Sequence, residues 1–183
     1  RPLREHPDAL NSVFIFGLSR SGKTTLEYML GSQPTVKMGY ETESVKQAAK
    51  FAFQSQGYYD LGNLDFLPVH LFDVAAEEYS RIIKEFSKEK RVFTATFPGH
   101  IWSLPTISEV VPNCKFIFVK RRKIDLMYKI YNTLYNNGHI YSYDLKYLSR
   151  YIDIYYEILD TLLEIFSGNS LLIEYEDMIE DPT

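Results

Sequence analysis

The sequence has 183 residues and 21.4 kDa, 45% hydrophobic and 24% charged, a balance that excludes disorder and fits one domain with a buried core. A single cysteine, Cys114, excludes a disulfide framework and a four-cysteine zinc site, and the four scattered histidines offer no pair at metal-ligand spacing. With 20 basic residues against 24 acidic ones the net charge is −4, so nucleic-acid binding through bulk charge is not expected.

Residues 1–12 (RPLREHPDALNS) carry no signal-peptide core and no apolar run reaches bilayer length, so the chain reads as cytoplasmic and without a membrane segment. Val13 to Phe16 is a short apolar run entering a Gly/Ser-rich turn, and a helix is predicted from Lys23 to Leu30. Val36 to Met38 reads as a short strand. Thr42 to Gln56 reads as a helix, with Val45, Ala48, Ala49, Ala52 and Phe53 at three- and four-residue spacing. Leu61 to His70 looks like loop, and Phe72 to Phe86 like a second amphipathic helix. Arg91 to Thr96 is a predicted strand ended by Pro98-Gly99, followed by a short helix from Leu104 to Val111. Lys115 to Val119 is a buried strand, with a helix from Ile124 to Tyr135 behind it. Tyr143 to Phe166 is the longest helix, stopped by Gly168-Asn169, and Ser170 to Glu174 is the last strand. No fixed-period repeat or low-complexity linker interrupts the chain. Short apolar strands separated by helices predict an α/β fold: three layers, with a central, mainly parallel sheet flanked by helices.

The most informative segment is Gly17-Leu18-Ser19-Arg20-Ser21-Gly22-Lys23-Thr24, a complete match to G-x-x-x-x-G-K-[ST] between a predicted strand and a predicted helix. Glycines there let backbone N–H groups turn inward around a phosphate at the positive end of a helix. A nucleoside triphosphatase or kinase would also need an acid at a strand end to help hold magnesium. Only the strand ending in Glu174 offers one. The strand ending at Val119 runs instead into Lys120-Arg121-Arg122-Lys123, the wrong sign for a metal and the right sign for a second phosphate.

The segment FIFGLSRSGKTTLEYMLGSQPTVKMGYET resembles the opening of sulfotransferases that use 3′-phosphoadenosine 5′-phosphosulfate (PAPS), above all the tyrosylprotein and bacterial TPR-linked branch, whose loop reads roughly G-x-P-R-S-G-T-T-L-L-E. The likeness continues through Pro112 to Val119, Gly138 to Leu145, and Tyr175-Glu176-Asp177-Met178 with Asp181-Pro182. On this resemblance, residues 1–183 form a single sulfotransferase-like P-loop domain, expected to be cut short on its C-terminal side. It implies that Arg20, Ser21, Gly22, Lys23, Thr24 and Thr25 hold the 5′-phosphosulfate. Arg121 falls on the arginine that binds the 3′-phosphate, Asp125 on a helix-start aspartate, and Tyr175 on the tyrosine near the 3′-phosphate. Glu41 falls where the tyrosylprotein branch carries its catalytic base. The implied reaction moves a sulfuryl group from PAPS to a hydroxyl acceptor (sugar, peptide tyrosine, or small alcohol or phenol) with no metal. Arg20 and Lys23 would compensate charge on the transferring group, and Glu41 would take the acceptor's proton. The alternative for Glu41 is an ordinary acid at a helix N-terminus.

Two positions depart from the family. Lys129 stands where relatives carry a serine eight residues after the 3′-phosphate arginine, and could meet a phosphate as a point charge. Ala95-Thr96-Phe97-Pro98 stands in place of Asp-Lys-x-Pro, which leaves open a domain that binds nucleotide without transferring sulfate. A kinase or NTPase using ATP or GTP with magnesium stays open as well. The basic cluster Lys115, Lys120, Arg121, Arg122, Lys123 and Lys129 follows a buried strand, at the edge where ligands bind such sheets, and Arg121 is its expected ligand residue. The 15 tyrosines include two stripes, Tyr143/Tyr147/Tyr151/Tyr155 and Tyr128/Tyr131/Tyr135, read as core packing or a surface for self-association. His100 and His139 receive no role.

Overall fold

The computed structural model describes residues 10–88, 90–96, 101–136 and 139–181. Five apolar runs become strands: β1 (Asn11–Phe16), β2 (Val36–Met38), β3 (Val92–Thr96), β4 (Cys114–Lys120) and β5 (Ser170–Glu174). They pair in parallel in the order β2-β3-β1-β4-β5, with Ile15 opposite Thr96 on one side and Ile117 on the other. Because β1 is central and the chain leaves to either side of it, a crevice opens at its C-terminal end, where such sheets bind ligands.

Alternation along the strands divides the core between the two faces of the sheet. Phe14, Phe16, Phe93, Phe116 and Phe118 belong to one large cluster. That cluster also takes in the buried faces of α2 (Ser44–Ser55), α3 (Phe72–Ser87), α4 (Leu104–Val110), α5 (Lys123–Tyr131) and α6 (Leu145–Ile165). Ile15 and Val119 point the other way, into a small cluster with Leu26 of α1 (Lys23–Gly31) and Met178 of α7 (Tyr175–Glu180). The fold is therefore the three-layer α/β arrangement that the alternation of strands and helices predicts.

The helices form where period and end signals agree. In α3, Ala75, Ala76, Tyr79 and Ile83 are buried, while Arg81 on the outer face reaches Glu78 at 2.7 Å and Glu85 at 3.4 Å. Asp144 caps α6, its Oδ1 accepting from Lys146 N at 2.8 Å and Tyr147 N at 2.9 Å; such a cap contributes about 1 kcal/mol. The helix expected at Ile124–Tyr135 ends at Tyr131, and the one expected from Tyr143 starts at Leu145, after a 3-10 turn over Ile140–Tyr143. The expected loop at Leu61–His70 contains 3-10 turns at Leu64–Phe66 and Val69–Leu71; Leu64, Leu67 and Leu71 drop into the core there. The Pro98-Gly99 stop, Phe97, His100 and Gly138 lie outside the described residues. No helix among the described residues is long and apolar enough to cross a membrane.

Deep under the sheet, the Tyr79 hydroxyl donates to Ser12 Oγ at 2.8 Å, with both residues buried. Burial pushes the phenol's pKa well above its usual range, so it stays a donor. Tyr79→Phe removes the bond and leaves Ser12 alone in the core. It should lower unfolding stability by about 1–2 kcal/mol in urea titrations and leave anion binding at the crevice unchanged.

Candidate functional site

The crevice is built around the turn that follows β1. A Cβ on Gly17 would lie 2.5 Å from Ser21 Oγ and 2.8 Å from the Val119 carbonyl oxygen, so only glycine fits. Arg20 (φ 66°) and Gly22 (φ 106°) are both left-handed and wind the loop tightly into α1. No side chain caps α1 at Gly22, which leaves its first-turn N–H groups available to a ligand.

The loop's carbonyls are taken up by cations. Lys23 Nζ donates to Gly17 O at 2.7 Å and to Leu18 O at 2.8 Å. Arg121, just beyond β4, donates from Nη1 to Arg20 O at 3.0 Å. Burial lowers the Lys23 pKa to about 8, and the nearby Glu41 carboxylate offsets part of that fall. The Arg121 guanidinium lies 4.2 Å from the centroid of the Tyr175 ring. That ring in turn occupies the space beside Gly22, where a Cβ would sit 2.2 Å from Tyr175 Cδ2. Tyr156 grips the Arg121 backbone, its hydroxyl accepting from Arg121 N at 3.1 Å and donating to Arg121 O at 2.5 Å. Burial pushes the Tyr156 phenol up to about 12, which keeps it protonated for this double contact.

Half of the basic cluster is neutralised by ion pairs. Lys120 meets Asp160 at 2.5 Å, Lys123 meets Asp153 at 2.6 Å, and Arg122 meets Asp125 at 2.9 Å and Glu176 at 3.5 Å. Among the described residues no carboxylate forms an ion pair with Arg20, Arg121 or Lys129, and all three line the crevice. The crevice measures about 1010 Å³. Of the residues singled out in the sequence, Arg20, Gly22, Lys23, Thr24, Thr25, Glu41, Arg121, Lys129 and Tyr175 all line it. Ser21 is buried and does not line it; its Oγ, like Arg121 Nε, has no hydrogen-bond partner.

Glu41 lies ahead of α2, which begins at Ser44 with Glu43 at its cap position. The helix-end acid is thus Glu43, and Glu41 is left facing the crevice. Glu174, the one acid at a strand end, is held up from the usual carboxylate range mainly by burial, and the Lys120 charge opposes that shift. Among the described residues no group of three or more His, Cys, Asp or Glu side chains could hold a metal.

Sequence reasoning missed a wall of aromatic groups on the β4 side. The Tyr135 hydroxyl lies 2.8 Å from Ser19 Oγ, and its ring stacks on His139 with centroids 4.1 Å apart. His139 Nδ1 lies 2.7 Å from the Tyr141 hydroxyl, and Tyr141 stacks on Tyr151 at 3.8 Å. Burial lowers the His139 pKa and raises that of Tyr141, so both are neutral near pH 7. The tyrosine stripes are not uniform packing: Tyr155 is 1% exposed, Tyr147 is 70% exposed, and Tyr151 between them lines the crevice.

Comparison with known proteins places this loop and sheet in a family. Residues 12–183 match the model of the Sulfotransferase family, and the chain belongs to that family. Solved structures of similar fold include the sulfotransferase domain of the Synechococcus PCC 7002 olefin synthase (17% identity, TM-score 0.61, 99% of this chain and 73% of that one). A sulfotransferase from Alicyclobacillus acidocaldarius is similar at 14% identity and TM-score 0.60, covering 95% of this chain and 76% of that one. For one from Mycobacterium tuberculosis H37Rv the figures are 15% and 0.57, with 95% and 64% covered. An uncharacterized protein of Aquifex aeolicus (strain VF5) is 22% identical over 189 residues, 98% of this chain. This chain spans 25% of that protein's length.

Two outcomes test this geometry. Gly22→Ala drives a Cβ into the Tyr175 ring from a left-handed residue, and should cost about 1–3 kcal/mol in thermal unfolding while weakening phosphate binding. The lowered Lys23 pKa makes a pH prediction. Below about pH 8 the lysine is protonated in both folded and unfolded chains, and burying the charge destabilises the fold. Between about 8 and 10.5 the unfolded chain binds the proton more, so this group's contribution to stability rises with pH. Urea titrations at pH 7.5 and 9.5 should show that rise in the wild type relative to Lys23→Met, on the order of 2 kcal/mol.

Proposed function

We propose that the chain moves a sulfuryl group from PAPS to an acceptor hydroxyl. The observation that carries this reading is the confluence, in one crevice, of a phosphate loop with the cations Arg20, Arg121 and Lys129, none of them ion-paired among the described residues. The donor-side residues suit such a compound: Arg121 Nε is a buried polar atom without a partner among the described residues, and the start of α1 carries no side-chain cap. PAPS supplies an activated sulfuryl group on a phosphate leaving group. The N–H groups at Gly22 to Thr25 take the 5′ side of the donor, and Arg121, Lys129 and Tyr175 take the 3′-phosphate. Arg20 and Lys23 place positive charge against the oxygen from which the sulfur departs. Glu41 receives the proton of the attacking hydroxyl, entering from the β2 side while the nucleotide groups enter from the β4 side. The position of Glu41 also supports placing the chain with the tyrosylprotein and TPR-linked branch. Sugars, peptide tyrosines and small alcohols or phenols are the acceptor classes to screen.

A magnesium-nucleotide reading has less support, since β3 ends in Thr96 and β4 in Lys120 followed by Arg121. One observation does favour a second reading, a domain that binds nucleotide without turnover: Ala95 and Thr96 replace an Asp-Lys pair beside the loop.

Calorimetry should show metal-independent binding of the desulfated product, 3′-phosphoadenosine 5′-phosphate, weakened tenfold or more by Arg121→Ala, about 1.4 kcal/mol. Binding of ATP with magnesium alone would overturn the proposal. Glu41→Gln should keep product affinity within about twofold and lower sulfuryl transfer by roughly 10²–10³. Product binding without transfer to any acceptor class would favour the silent domain.

A further inference from the structure

Glu27, on α1, is 0% exposed, and no cation pairs with it among the described residues. A buried carboxyl group is costly, and an apolar side chain would serve a core position better. What Glu27 holds is specific. Its Oε1 accepts from Tyr40 N at 3.0 Å and from Thr94 Oγ1 at 2.9 Å, which ties α1 to the residue before Glu41 and to β3. Tyr40 itself is left-handed (φ 51°), a conformation that residues with a Cβ rarely adopt. Its carbonyl accepts from Thr96 N at 2.9 Å, and Gly39 N donates to Thr94 O at 2.8 Å. Space there is closed as well: a Cβ on Gly39 would lie 2.3 Å from the Phe93 ring. The chain thus leaves β2 in a fixed direction and turns sharply at Tyr40, with Glu41 emerging into the crevice. Among the described residues, the Tyr40 amide in this turn is anchored by the side chain of Glu27 alone.

We infer that Glu27 is a positioning residue: by holding the left-handed turn at Tyr40 it sets where the Glu41 carboxylate stands in the crevice. The inference rests on the reading of Glu41 as the base. It assigns Glu27 no contact with substrate. The other oxygen, Oε2, is buried without a partner, so the working contacts are those of Oε1. Glutamine can reproduce them through its amide oxygen, and leucine cannot.

The test needs one readout that does not depend on turnover. Lys23 provides it, because the Glu41 charge raises the Lys23 pKa. The titration midpoint of the Lys23 side chain, followed by NMR of its ε-carbon, therefore reports whether Glu41 is in place. Glu41→Gln should lower that midpoint. Glu27→Leu should lower it as far, Glu27→Gln should restore it, and Glu27→Leu/Glu41→Gln should lower it no further than Glu41→Gln alone. Sulfuryl transfer from PAPS, to water as free sulfate or to a phenol as its sulfate ester, should follow the same pattern. Glu27→Leu should lose at least tenfold in kcat with product affinity within twofold, and the double variant should match Glu41→Gln. A wild-type Lys23 midpoint in Glu27→Leu, alongside a lowered one in Glu41→Gln, would overturn the inference; so would additive losses in the double variant. Unchanged turnover in Glu41→Gln would overturn the base reading instead, leaving the Lys23 midpoint to judge the placement. If Glu27→Leu does not fold, Thr94→Val removes one of the two bonds and should shift the midpoint partway. No shift there would count against the inference.

Discussion

A backbone loop can offer its N–H groups to an anion only if its carbonyl oxygens are occupied elsewhere, and the site depends on how that is arranged. Lys23 takes the oxygens of Gly17 and Leu18, and Arg121 takes that of Arg20. Each cation serves twice, satisfying a loop carbonyl and setting positive charge beside the crevice. Arg121 comes from the far end of β4, so the loop after β1 holds its shape only while the β1–β4 pairing holds. Tyr175, from the start of α7, closes the arrangement by filling the space that Gly22 leaves open. Three separate stretches of chain therefore meet at one turn, and the parallel sheet brings them there.

Charge in the molecule is arranged by the same economy. Lys120 at the end of β4 is answered by Asp160 of α6, Lys123 of α5 by Asp153 of α6, and Arg122 by Asp125 one turn on in α5. Such exposed pairs contribute little stability individually. Their effect is to leave Arg121 and Lys129 as the cations of that run facing the crevice. The family match and the similar solved structures establish the class of fold.

Much of this was legible in the sequence, for physical reasons that also mark where legibility ends. The loop was readable because its glycines are forced locally, by a left-handed turn and by close approach. All five strands were readable as short apolar runs, since parallel strands covered on both faces have little polar alternation. The tyrosine stripe was misleading because a step of four residues overshoots a helical turn by about 40°, so Tyr147, Tyr151 and Tyr155 rotate from solvent through the crevice edge into the core. His139 and Tyr141 could not be placed, since their contact is made by the turn between α5 and α6 and not by any periodicity. The contacts of Glu27 were not legible for a related reason: a glutamate in a helix reads as a surface charge, and only tertiary structure shows that its partners are Tyr40 and Thr94.

The central position of β1 has a consequence for how the chain is made. Its partners are Val92–Thr96 and Cys114–Lys120, so β1, the first of the five strands in chain order, is flanked on both sides only once β4 has been made. At about 5–20 residues per second, the run Phe14-Ile15-Phe16 waits on the order of 5–20 s with at least one edge of its backbone unpaired and its phenylalanines incompletely covered. Apolar, β-prone and uncharged, it is an attractive target for chaperones and for other nascent chains. The length of that interval is set by strand order and is independent of how stable the finished domain is.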